Sequence, residues 1–219
     1  SGRKAGFDVI RRQECIGNQR LILGDCAQVM PLLGKVDAVV TDPPYGIGFA
    51  SQPTKWQRRA GQAPKNWDNQ TCEIVERLPD VAETCLIWGG NYYRLPLTRG
   101  WLSWYKPDAP PSMASLELCW TSRDMNARQF SRSIGATNAE RVGHPTQKPV
   151  ALMEWCLGFI PDAKTILDPF MGSGTTLAAC HRMGRHGIGI ELDEDYFDMA
   201  CRRVEEAVRQ PDLFVGREE

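Results

Sequence analysis

Residues 166–180 read ILDPFMGSGTTLAAC, and that stretch decides the fold. Ile166 and Leu167 close a short apolar run that ends on an acid, Asp168. Gly172 and Gly174 then mark a tight turn, and a helical pattern begins near Thr175. Glycines at such a turn let a ligand approach the backbone and let the helix pack closely on the strand. Working outward, HGIGIEL (186–192) reads as the next strand, ending at Glu191. In a nucleotide-binding βαβ unit, an acid about twenty residues past the first strand takes the ribose hydroxyls. A dinucleotide fingerprint needs a third glycine where Leu177 stands, and no Gly-Lys-Ser/Thr phosphate loop occurs. The turn therefore suits an adenosine-like ligand without a pyrophosphate, and S-adenosylmethionine is the common molecule of that description.

The same alternation runs through the chain. RLILGD (20–25), VDAVVTD (36–42) and TCLIWGG (84–90) read as buried strands, while WLSWYK and SLELCWTS read as an antiparallel hairpin. CAQVMPLL, TCEIVERLPDVA, KPVALMEWCLGFI and DEDYFDMACRRVEEAV carry helical spacing, the last capped by Asp193. The predicted fold class is α/β: a doubly wound, mainly parallel, Rossmann-like sheet with one antiparallel hairpin. At 219 residues the chain suits one domain. Exposed loops are expected at about 49–70 and 122–143.

The chain ends one strand in an unusual way: TDPPYGIGFA, residues 41–50. Pro43 and Pro44 lack the N–H that a sheet ladder needs, so the strand stops near Asp42. An acid, a rigid turn and Tyr45 are thus delivered together to one sheet edge, as a capped turn or as a site.

Composition narrows the class. Hydrophobic residues make up 42 % and charged residues 24 %, with a net charge of −1, which fits a soluble globular protein. No long apolar run or signal-peptide core is present, so no membrane segment is expected. Eight scattered cysteines with no C-x-x-C pair read as reduced, cytoplasmic thiols rather than disulfides or a metal site. Charge is unevenly spread. Lys55, Arg58, Arg59 and Lys65 occur in a stretch without acids, and Arg123, Arg128, Arg132 and Arg141 follow in a second polar stretch. Residues 191–219 hold ten acids and four bases. Two basic segments flanking a candidate site suit a phosphate backbone; solvated surface loops are the plainer reading.

Taken together, the motifs resemble those of the amino-group DNA methyltransferases. DPPY at Asp42–Tyr45 is similar to that family's catalytic motif and DPFMGSGTT at 168–176 to its cofactor motif, in the order of the permuted β subgroup. HPTQKP (144–149), LGD (23–25), LIWGGNYY (86–93) and GIELDEDYFDMACRRV also resemble family segments. The likeness runs from about residue 20 to 205. It implies S-adenosyl-L-methionine as cofactor, S-adenosyl-L-homocysteine as product, and DNA as partner. Cofactor contacts are implied at Asp25, Cys26, His144, Thr146, Lys148, Asp168, Phe170, Gly172, Ser173, Gly174, Thr175, Glu191 and Leu192. Lys148 on a solvated helix end is the competing reading.

The resemblance also gives the opening acid a chemistry. An exocyclic amino nitrogen is a poor nucleophile because its lone pair is delocalised into the ring. A carboxylate and a carbonyl that accept both amino hydrogens localise that pair, and Asp42 and Pro43 are the groups expected to do so. Pro44 shapes the turn and Tyr45 is expected to stack on a base flipped out of the duplex. Asp42, where cytosine enzymes more often carry Ser, favours adenine N6 over cytosine N4. The segment expected to read the target, Ser122 to Gly143, is short, so a very short site, help from the 49–70 loop, or a homodimer is implied. A bacterial or phage origin is expected, with restriction-modification, a phage's self-protection and an epigenetic mark all open as the setting.

Overall fold

The structure, a computed structural model, describes residues 9–47, 72–138 and 147–210. Within them, nine strands form one sheet: β1 (Ile10–Ile16), β2 (Gln19–Gly24), β3 (Ala38–Thr41), β4 (Thr84–Trp88), β5 (Trp101–Tyr105), β6 (Leu116–Thr121), β7 (Arg128–Ser131), β8 (Thr165–Asp168) and β9 (His186–Glu191). Helices are α1 (Cys26–Val29), α2 (Ile134–Asn138), α3 (Val150–Gly158), α4 (Thr175–Arg182) and α5 (Glu194–Arg209), with 3-10 turns at Met30–Leu32, Glu73–Asp80 and Gly90–Tyr92.

The spatial order is β1-β2-β9-β8-β3-β4-β6-β5-β7. Strands β2, β9, β8, β3 and β4 run parallel, while β1 and β6 are antiparallel to their neighbours. The central strands are buried on both faces, which is why they read as continuous apolar runs. Their period-2 alternation sorts side chains between two layers. Val39, Ile87 and Leu167 join Val29, Val75 and Leu78 on one side. Val40, Leu86 and Ile166 pack with α3 and α4 on the other, where Leu21 and Leu23 meet Phe197, Ala200 and Val204 of α5. Both faces are covered, as the doubly wound α/β expectation requires.

Three local expectations change. The TCEIVERLPDVA segment forms a 3-10 helix over Glu73–Asp80 with Pro79 inside it; proline has no N–H to continue an α-helix. Edge strand β1 is absent from the sequence reading because IRRQECI alternates exposed and half-buried residues with little apolar character. The polar stretch expected as an exposed loop over 122–143 contains β7 and α2 in its described part. Strand β7 pairs with β5 in parallel, and its Phe130 meets Trp155 of α3 at 5.5 Å between ring centroids. The expected 49–70 loop lies outside the described residues.

Candidate active site

The carboxyl ends of the five parallel strands converge on one cleft. In an open α/β sheet that edge is where ligands bind, because the strand order reverses there and the loops diverge. The cleft encloses about 1020 Å³ and is lined by Asp25 after β2, Asp42 after β3, Gly89 after β4, Asp168 at the end of β8 and Glu191 at the end of β9. The residues leading out of β5 and into β6, from Lys106 to Leu118, form its far wall.

At the β3 end, the Asp42 carboxylate is held on one side only. Tyr45 donates its hydroxyl to Asp42 Oδ1 at 2.6 Å, and Lys148 Nζ sits 2.7 Å from the same oxygen. Among the described residues Oδ2 has no hydrogen-bond partner, and neither has the Pro43 carbonyl. The Pro44 carbonyl accepts the Tyr93 hydroxyl. Two acceptors on adjacent residues are thus left for a ligand. Gly89, at φ +66°, makes room for Tyr45, since a Cβ there would overlap the tyrosine ring. Tyr92 stacks on Tyr45 with centroids 5.1 Å apart and planes 14° from parallel.

Lys148 is buried at 5 % side-chain exposure, not placed on a solvated helix end. Its ammonium bridges Asp42 to Glu117 Oε2 at 3.0 Å, and Glu117 in turn pairs with Lys106. Lys148 also lies over the Trp88 ring at 5.2 Å. Burial resists ionisation of Glu117, but Lys148 and Lys106 outweigh it and hold the carboxyl at about 2. Burial pushes Asp42 above the usual carboxylate range, with Lys148 opposing and Glu117 adding to the rise. Tyr45 is pushed up by burial and by the Asp42 charge, so its hydroxyl is a donor.

The other half of the cleft follows the Gly-rich turn. Asp168 accepts from Thr41 Oγ1 at 2.7 Å and from the Phe170 N–H at 3.1 Å. Glu191 accepts from the N–H groups of Gly172, Leu192 and Asp193 at 2.8–3.0 Å. Burial raises Asp168 to about 6 and Glu191 to about 7. Both are carboxyls poised to ionise when hydroxyls or a positive charge arrive. Asp25 caps α1 through the Ala27 N–H at 2.9 Å and also lines the cleft, with Cys26 beside it. Gly174, at φ +78°, serves packing: a Cβ there would lie 3.1 Å from Ala200 of α5.

The cleft gathers Asp42, Pro43, Pro44, Tyr45, Asp25, Cys26, Lys148, Asp168, Phe170, Gly172, Ser173, Thr175, Glu191 and Leu192. His144, Thr146, Lys55, Arg58, Arg59 and Lys65 lie outside the described residues. Arg123 and Arg128 fall at the opposite edge of the sheet, because β6 ends there and β7 begins there. Arg132, after the end of β7, lies on the cleft's edge. Sequence reasoning missed Lys106, Glu117 and Tyr92. It also missed Arg203, whose buried guanidinium donates to Ser173 Oγ at 3.1 Å and Thr175 Oγ1 at 2.7 Å. Tyr92 and Arg203 lie within LIWGGNYY and GIELDEDYFDMACRRV, where the resemblance covers the segment without singling them out, and no local pattern marks Lys106 or Glu117. Among the described residues no group of His, Cys, Asp and Glu is placed to hold a metal ion, and no helix is long and apolar enough to cross a membrane.

Comparison with known proteins bears on the family and the fold. The chain is similar to the Type II methyltransferase M.ScaI of Streptomyces caespitosus, 44 % identical over 70 residues, covering 32 % of this chain and 23 % of that protein. M.HpaI of Haemophilus parainfluenzae is 41 % identical over 81 residues, covering 36 % and 26 %. The matched stretches thus span about a quarter of each relative. In fold, the chain resembles the M1.HpyAVI–SAM complex (TM-score 0.59, 23 % identity, covering 84 % of this chain and 99 % of that one). It also resembles the PvuII DNA methyltransferase, described as cytosine-N4-specific (TM-score 0.56, 17 % identity, 91 % and 94 %). The pattern of the DNA methylase family matches residues 87–202, more than half of the chain, so the chain belongs to that family.

Proposed function

We propose that the chain is an S-adenosylmethionine-dependent DNA methyltransferase that methylates the exocyclic N6 of adenine in a base turned out of the duplex. The observation that carries the reading is a pair of acceptors, Asp42 Oδ2 and the Pro43 carbonyl, that have no partner among the described residues and lie in the cleft that Asp168 and Glu191 also line. The residues fit the cofactor: Glu191 offers carboxylate oxygens to ribose hydroxyls, and Asp168 and Asp42 offer negative charge to a cation. When bound, S-adenosylmethionine supplies an electrophilic methyl on a sulfonium.

The protein's own groups do the rest. Asp42 Oδ2 and the Pro43 carbonyl accept the two amino hydrogens, which localises the nitrogen lone pair toward the methyl. Tyr45 and Lys148 hold Oδ1, so the carboxylate does not rotate as the nitrogen moves. Asp42 then takes the proton that the methylated, positively charged nitrogen sheds. A base that stacks on the ring face of Tyr45 now covered by Tyr92 displaces the exposed Tyr92 ring. Arg132 and the basic residues of 55–65 supply phosphate contacts. The Type II names of the relatives favour a restriction-modification setting in a bacterial cytoplasm, with a second copy of the chain extending the DNA contact.

The test is transfer of labelled methyl from S-adenosylmethionine to unmethylated duplex DNA, digested to nucleosides, with Asp42→Ala alongside. Label in N6-methyladenine that disappears in the variant is the expected result. Label in N4-methylcytosine would keep the mechanism and overturn the choice of base. Absence of label on any DNA would sink the reading.

A further inference from the structure

The charge arrangement behind Asp42 goes beyond what the transfer chemistry demands. Four ionisable side chains from four separated segments form one chain of contacts: Lys106 to Glu117, Glu117 to Lys148, Lys148 to Asp42. All four line the cleft. A buried lysine on Asp42 fixes the carboxylate, yet it also sets a positive charge beside an amine that becomes cationic during transfer. That charge opposes the reaction unless something cancels it. Glu117, 3.0 Å from the same ammonium, is placed to do so, and Lys106 keeps Glu117 ionised and in place.

We infer that Glu117 is a positioning residue for methyl transfer: it holds the same Lys148 ammonium that holds Asp42, so that Asp42 is oriented by Lys148 without a net positive charge facing the reacting nitrogen. The inference rests on the methyltransferase reading. It assigns the β6 strand a part in the chemistry through one side chain, a strand from which the sequence motifs name no site residue. With Glu117 ionised, the two carboxylates and two ammoniums cancel. With that charge removed, the cluster carries a net +1.

Glu117→Gln keeps the shape and an acceptor for Lys148 while removing the charge. The expected result is a fall in kcat of about ten- to a hundredfold, with cofactor binding by calorimetry unchanged. The informative readout is the pH profile of kcat, whose acid limb reports Asp42. The groups facing Asp42 are Tyr45 from its own turn, Lys148 ahead of α3, Glu117 and Cys119 on β6, and Asp168 on β8. Loss of the Glu117 charge favours the ionised form of Asp42, so the limb moves to lower pH. Glu117→Asp, which keeps the charge, leaves the limb where it was. A purely structural role would lower kcat at every pH without moving the limb.

Wild-type transfer combined with a Glu117→Gln enzyme that keeps its kcat, or loses it with an unmoved limb, overturns the inference alone. A wild-type chain that transfers no methyl to DNA overturns the function reading and the inference with it.

Discussion

Replacing Lys148 by methionine separates the electrostatic account of this site from a packing account. Methionine matches the length of the lysine stem and removes the ammonium, with its charge and its N–H donors to Asp42, Glu117 and Tyr45. At an effective dielectric of about 20, a pair 2.7 Å apart, as in Lys148–Asp42, has a gross attraction of about 6 kcal/mol, and one at 3.0 Å only slightly less. Desolvating the ammonium cancels much of this. Glu117 keeps Lys106 after the substitution, so the group left uncompensated is Asp42. Stranding one buried charge costs roughly 3 kcal/mol at neutral pH. The size of the loss depends on pH in a set direction. In the variant Asp42 loses the partner that held its pKa down, so its folded value rises further above the unfolded one. Unfolding free energy then falls as pH rises through that interval, and the gap to wild type closes toward acid. Urea denaturation of both proteins across pH 4–8 reads this directly. The double variant Lys148→Met/Asp42→Asn removes the stranded charge and is expected to recover most of the loss. A penalty that is the same at every pH, or that the double variant does not relieve, would refute the electrostatic reasoning.

Three other outcomes follow from the same geometry. Gly89→Ala places a Cβ in the Tyr45 ring at a backbone φ of +66°; methyl transfer should fall about a hundredfold from misplacement of Asp42 and Tyr45, while calorimetry shows unchanged cofactor binding. Arg203→Met removes the donors that fix Ser173 and Thr175; cofactor affinity should weaken about tenfold, measured by calorimetry, with the KM for DNA unaltered. Glu191 at about 7 and Asp168 at about 6 lie above the ordinary values of 4.5 and 3.8. The folded cofactor-free protein therefore holds protons that the unfolded chain releases, and its stability falls as pH climbs through that window and levels off above it. Glu191→Gln should flatten the upper part of that slope in urea melts.

The sites most legible in sequence were those where one short segment carries both the fold and the chemistry. VDAVVTDPPY announces a strand by its β-branched run and ends it by its prolines, and the acid that follows has no other place than the sheet edge. ILDPFMGSGTT does the same for β8 and α4. Edge strands β1 and β7 were not legible, because IRRQECI and RQFS have little apolar alternation and owe their strand form to ladder bonds with β2 and β5. The Arg-rich stretch misled in another way. Arg123, Arg128 and Arg132 are close in sequence, but strand direction sends the first two to one edge of the sheet and the third to the other.

Sequence by itself therefore determined the α/β class, the strand ends that bear Asp42, Asp168 and Glu191, and the family likeness, since each depends on residues within one turn or strand of each other. Tertiary structure alone decided the order of the nine strands and the partners of the central acid. Lys148 left its motif for Asp42 and Glu117, and Lys106 joined them from the far end of β5. Ion pairs between residues 42, 106, 117 and 148 have no local signature. They are set by which strands lie side by side, and that is settled by how the whole sheet buries its apolar faces.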